Sequence, residues 1–300
     1  MRALRTFVGL TVLGLSLPAW ADDAPPKADV ADLGKLEGQP QLLATVGPVK
    51  RKDGFDARLG TGATLALSDN RGVAGQADGT SLAFGFKFGA ALAYNHGPSE
   101  WRTNFDAAAN VTHTPAIDLW IKGVDNLSLE SIYLYHVIEP FGFFGRATWK
   151  TSMFAGQDVR PVPITYQVTH LDGTVDVFDG SKLHLSDPFE PSTLTESAGV
   201  FYQPSRSPKF NAELRAGPGA QQIIARHQLA VADDATTLTT VEISELDDSA
   251  QLGPEIDVSL WGDIVPKKVT YRFEAGAMMP LWHTDLPAGD DRSPVELTNF

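Results

Sequence analysis

The chain has 300 residues, 37 acidic against 24 basic side chains, a formal charge of −13 and no cysteine. Disulfide frameworks, thiolate metal sites and cysteine nucleophiles are therefore excluded. A nucleic-acid partner is excluded too, because phosphate binding needs a basic surface. No internal apolar run reaches the ~18 residues of a spanning helix.

Residues 1–21 begin with "MRALRT", pass into the apolar "FVGLTVLGLSL" and close on Pro18 and "AWA". A basic start, an apolar stretch and a small-residue cleavage site make a cleaved secretory signal. Residues 22–52 are rich in Ala, Asp, Pro and Lys without a sustained period, and they read as a flexible periplasmic leader.

From residue 53 onward large apolar residues recur at every second position. That is the period of a β-strand, whose side chains point to opposite faces. In "SLAFGFKFGAALAYN" (81–95) Leu82, Phe84, Phe86, Phe88, Leu92 and Tyr94 share one face, against Ser81, Gly85, Lys87, Gly89, Ala91 and Ala93. The spacing predicts strands over 55–67, 81–95, 100–112, 127–137, 141–153, 193–202, 208–217, 253–262 and 268–279, and a tenth beginning at 295. Strands of a soluble sandwich usually run about 5–6 residues. The clearest of these are nearer to the roughly 9–11 that a tilted strand needs to cross a bilayer. The fold class read from this pattern is all-β: an antiparallel transmembrane β-barrel of about ten strands, ten to twelve.

Connection lengths agree with that reading. Residues 69–80, 115–126, 155–192, 218–252 and 282–294 are long connections, and they alternate with the short ones at 96–99, 138–140, 203–207 and 263–267. Outer-membrane barrels have long external loops and short periplasmic turns. Phe55, Tyr94, Trp101, Tyr135, Phe141, Tyr202 and Tyr271 fall on the apolar face near the short turns, as an interfacial aromatic girdle would. The last predicted strand, "VELTNF", is too short to span, so the closing strand is expected to continue beyond Phe300.

With the strands placed, "VAGQADGTSL" (73–82), "EWR" (100–102), "IKGVDNL" (121–127), "LESIYLYHV" (129–137) and "GFFGRATWKTSMF" (142–154) together resemble an uncharacterised family of bacterial outer-membrane β-barrels, a domain of unknown function. The resemblance runs from about residue 54 to the end and implies the barrel, but no activity and no functional residues.

The opposite faces carry the charges. Asp56, Arg58, Lys87, Glu100, Arg102, Asp106, Glu130, Arg146, Lys150, Glu213, Arg215, Asp257, Lys268, Arg272 and Glu274 are expected to point into the lumen. Around eight strands a barrel interior is just filled by side chains, and open channels come at sixteen or more. A salt-bridged plug is therefore the first expectation and a narrow or gated pore the second.

Loops 155–192 and 218–252 are acidic, with "ELDDS" (245–249) the densest cluster, and read as solvated rather than metal-binding. Within the first, 174–178 and 182–186 are expected to form a small hairpin. "GPGAQ" (217–221) lacks the Lys-Ser/Thr of a phosphate loop and reads as a bend. His170, His184, His227 and His283 lie in external loops, but no Ser or Asp near them forms a nucleophile motif.

The expected function is a structural, binding or small-solute permeation role in the bacterial outer membrane, with no cofactor and no catalysis. The expected partners are outer-membrane lipid, lipopolysaccharide and the barrel-assembly machinery. The alternatives are a surface enzyme with an Asp/His site at the outer rim, of protease or lipase type, and a secreted soluble β-barrel or sandwich binder.

Overall fold

A computed structural model describes residues 53–71, 78–207, 209–233, 237, 239–265, 269–284 and 298. The expected signal peptide, the leader, Lys268 and, apart from residue 298, the strand at 295–300 lie outside the described residues. The described chain is all-β, with no helix.

Among the described residues fourteen strands form two sheets: β1 Gly54–Asn70, β2 Gly79–His96, β3 Ser99–Thr114, β4 Ile117–Ile138, β5 Phe141–Thr151, β6 Gly156–Thr169, β7 Val175–Ser186, β8 Ser192–Arg206, β9 Asn211–Ile224, β10 Leu229–Val231, β11 Thr240–Glu245, β12 Ser249–Val265, β13 Val269–Met278 and β14 Trp282–His283. The large sheet runs β1-β2-β3-β4-β5-β8-β9-β12-β13, every neighbour antiparallel, and β14 continues the pairing with β12 beyond β13. All nine predicted strands before residue 295 are present. Among the described residues β1 and β13 do not pair, so the ladder is not closed into a barrel.

The sheet is nevertheless strongly curled. Arg102 on β3 lies 3.1 Å from Glu213 on β9, although four strand steps of ~4.8 Å would separate them by about 19 Å if the sheet were flat. Asp106 on β3 and Arg272 on β13, six steps apart along the sheet, are also within electrostatic reach of one another.

Burial is the reverse of a water-soluble sheet. The concave face holds the small and charged residues, with Glu100 and Glu213 each 2% exposed at the side chain. The convex face holds Leu65 at 73% and Leu67 at 72% exposure, together with Phe84, Phe86, Phe143, Val200, Ile256 and Phe273.

Three expectations for the connections are corrected. Residues 115–126 are not a loop: β3 and β4 run on as one hairpin that turns at 115–116. The ladder survives there because the irregularity at Ala109/Val111 is bridged by Asn110, whose side-chain oxygen accepts the Val124 backbone N–H. "GPGAQ" is not a bend. Pro218 faces Pro254 across the β9–β12 ladder, so two residues that lack an N–H oppose each other and the strand runs straight through. Segments 174–178 and 182–186 are not two strands of one hairpin but belong mainly to β7, which pairs with β6.

The two acidic loops are a sheet as well. β6 and β7 from the first join β10 and β11 from the second in the order β10-β11-β6-β7, with β11 parallel to β6. Tyr166, Val168, Val241 and Ile243 form its buried core, packed by Ile164, Leu183, Leu185 and Leu229. A parallel pairing between distant segments gives no local signature, which is why these residues read as loops.

Candidate functional site

Side chains alternate along a strand, so Glu100 and Arg102 of β3 turn inward while Trp101 turns outward. Glu213 and Arg215 of β9 are placed the same way on either side of the outward Leu214. Arg102 Nε donates to Glu100 Oε1 at 2.6 Å, and its two terminal nitrogens donate to Glu213 Oε2 at 3.2 and 3.1 Å. Arg146 of β5 pairs with Glu255 and, at 3.3 Å, with Asp257, both of β12. Arg215 links the two halves, 3.7 Å from Glu213 and 3.9 Å from Asp257.

At the end of the sheet that carries the short turns, His136 Nε2 lies 3.2 Å from Glu100 Oε2, and Arg206 packs over the same ring at 3.2 Å. Gln203 accepts from Arg206 and donates to Glu213 at 3.4 Å. Glu100, Glu213, Glu255 and Asp257 thus stand against Arg102, Arg146, Arg206 and Arg215, a balanced set of signs.

An apolar layer lies beside these ions. Ile132, Leu134, Phe144 and Phe201 are buried together on the concave face. The His136 ring meets Phe201 edge-on at 4.8 Å, and Arg215 sits over the Phe144 ring at 5.9 Å. Charge pairs and aromatic rings thus lie together on the concave face between β3 and β12.

The remaining predicted interior residues stand apart. Asp56 and Arg58 pair with each other at 3.1 Å on β1, and Arg272 pairs with Glu274 on β13. Lys87 and Arg272 both act on Asp106. Lys150 stands exposed at the end of β5 and joins none of the ion pairs among the described residues.

Sequence reasoning missed His136, Gln203, Arg206, Glu255 and the four apolar residues. Glu255 shares parity with Asp257 and could have been found. Leu134 and His136 lie in "LSLESIYLYHV", where both faces are apolar and parity alone does not choose the inside.

The outward aromatics are in register: Phe55 opposite Tyr94, Tyr94 opposite Trp101, and Phe141 opposite Tyr202. Phe55–Tyr94 and Phe141–Tyr202 ring centroids are both 4.5 Å apart. Trp101 Nε1 donates to Ser131 Oγ at 2.7 Å and the Tyr271 hydroxyl donates to the Lys209 carbonyl at 3.1 Å, so each polar tip has a partner on a largely apolar face. Tyr135 is exposed on the same face.

A second cluster lies on the small sheet. Glu245 Oε2 is 2.8 Å from His170 Nδ1 and accepts the Leu171 N–H at 3.1 Å, and Glu245 Oε1 is 2.6 Å from His227 Nδ1. His170 Nε2 lies 3.2 Å from Asp176 Oδ2. Asp248, in the same "ELDDS" stretch, accepts the N–H groups of Ala225 at 2.6 Å and Arg226 at 3.2 Å. These carboxylates are taken up by local hydrogen bonds, and among the described residues no group of His, Asp and Glu could hold a metal ion. With both ring nitrogens on carboxylates, His170 has no free nitrogen for general-base work.

No family model matches the chain, and neither a curated protein nor a solved structure matches it.

Proposed function

We propose that this chain is an outer-membrane β-barrel, closed inside by its own side chains, that works through the small sheet at its far end as a binding surface rather than as an open pore. The observation that carries the reading is the inverted burial: Glu213 is 2% exposed inside, whereas Leu65 is 73% exposed outside. In water that arrangement is costly on both counts, because apolar surface stays wet and charge is desolvated. In a bilayer the convex face meets lipid and the interior keeps the charges. The in-register aromatics and the hydrogen-bonded tips of Trp101 and Tyr271 suit a membrane–water boundary. Export through a signal peptide, contact with lipopolysaccharide and insertion by the barrel-assembly machinery follow from the same reading.

The balanced ion pairs and the Phe144–Phe201 layer support closure, and the reading contains no catalytic step. Refolded protein should migrate differently on a gel before and after boiling, as intact barrels do, and should insert into a planar bilayer without current. Identical migration in both states would sink the barrel, and a large steady conductance would sink the closed interior.

A further inference from the structure

We propose that Asp176, His170, Glu245 and His227 form a pH-dependent clasp holding the two insertions of the small sheet together. The first insertion carries β6 and β7, the second β10 and β11, and they are joined by the short parallel pairing of Thr240–Ser244 with Thr165–Thr169 and the contacts around it. The clasp sits where that pairing ends. His170 follows β6, Asp176 lies in β7, Glu245 closes β11 and His227 precedes β10.

The geometry makes the clasp sensitive to one proton. His170 faces a carboxylate at each ring nitrogen, Glu245 at 2.8 Å and Asp176 at 3.2 Å. Carboxylates only accept, so both contacts need an N–H, and only the imidazolium carries two. Loss of the proton removes one hydrogen bond and leaves a lone pair facing a carboxylate.

The charged groups facing this ring are Asp172 from its own turn, Asp176 from β7 and Glu245 from β11, with His227 on the far side of Glu245. The hydrogen bond to Glu245, then that to Asp176, raises His170 above its ordinary value of 6.5. The hydrogen bond from His170, then the Leu171 N–H, holds Glu245 below its ordinary 4.5. The signs follow from linkage. The histidine contribution is complete below pH 6.5 and is lost as pH rises through the raised value. The Glu245 contribution is present above 4.5 and is lost only as pH falls through the lowered value.

The backbone gives the clasp something to hold. Arg226 and His227 have φ of 49° and 64°, left-handed values that cost a residue with a side chain. Asp248 anchors the start of that turn and Glu245 its end.

The test is amide exchange of residues 225–231 and 240–245 in the refolded full chain, corrected for intrinsic rates, between about pH 6 and about pH 9. Imidazole proton shifts are read in the same samples. Exchange should be about five-fold faster at the upper pH, with a midpoint that coincides with the His170 titration and lies above that of an ordinary histidine. His170→Gln should abolish the dependence, and His184→Gln, outside the cluster, should leave it unchanged. A wild-type protein without the dependence, a midpoint away from the His170 titration, or a His170→Gln variant that keeps the dependence overturns the clasp.

Discussion

Arg102 on β3 donates two hydrogen bonds to Glu213 on β9 across the concave face, with β4, β5 and β8 lying between them in the sheet. The contact ties opposite walls together, and both partners are buried, so removing Arg102 strips Glu213 of two charge-assisted hydrogen bonds and leaves a buried carboxylate with Gln203 at 3.4 Å and Arg215 at 3.7 Å. Arg102→Ala should lower unfolding stability by about 3–5 kcal/mol. The double variant Arg102→Met with Glu213→Leu should lose less than the single one. Urea unfolding in detergent, followed by tryptophan fluorescence, measures both. Equal losses would mean that the pair is not what joins the walls.

Phe201 and Phe144 are buried together beside the ions on the concave face. Replacing both with Ala should cost about 3–5 kcal/mol for each ring and, on the proposed closed-barrel reading, should let small ions pass in a planar bilayer. Discrete steps in the double variant, absent from the wild type, are the expected result.

Gly142 is the floor on which Phe201 packs: a Cβ there would meet the Tyr135 carbonyl and come within 2.6 Å of the Phe201 ring. Gly145, three residues further on and so on the opposite face of β5, has nothing within 4 Å of the same position. Gly142→Ala should therefore lower folding yield into vesicles and cost about 1–3 kcal/mol, while Gly145→Ala should leave both within error.

The convex face should tolerate no charge. Phe86→Arg, in the middle of β2, should cost about 2–4 kcal/mol of stability in vesicles. Asp56→Arg, on the other face near the end of the strand, should cost far less. If Phe86→Arg stayed neutral in vesicles, lipid contact on this face would be wrong.

Tyr166 is the hydroxyl at the centre of the small sheet and donates to Asp158 Oδ2 at 2.8 Å. Burial, then the Asp158 hydrogen bond, pushes its pKa up from 10.0 to about 12. The contribution is complete below pH 10.0 and disappears as pH rises through about 12, because the unfolded segment loses its proton first. Exchange protection of β6 and β11 should fall across that window, and Tyr166→Phe should remove this loss.

The alternation of residues 55–153 and 193–279 was enough to place the nine long strands of the large sheet and the face of most of their side chains, but not the first half of β4 or the short β14. Side-chain direction in a strand has period two, so one strand read correctly sets inside and outside for its whole length. Parity also placed Glu100, Arg102, Glu213, Arg215 and Arg146 on one face, but not which of them meet. That depended on curvature, because Arg102 and Glu213 are 111 residues apart and touch only when the sheet bends across three intervening strands. The apolar layer was hidden for a different reason: near Leu134 both faces of β4 are apolar, so the period carries no sign. Least legible of all was the small sheet. Its parallel β6–β11 pairing joins Thr165 to Thr240, and His170 finds Glu245 only once that pairing has formed. Local sequence thus determined most of the strands and their faces, whereas the ion pairs, the buried apolar layer and the histidine cluster come from contacts between residues far apart in the chain.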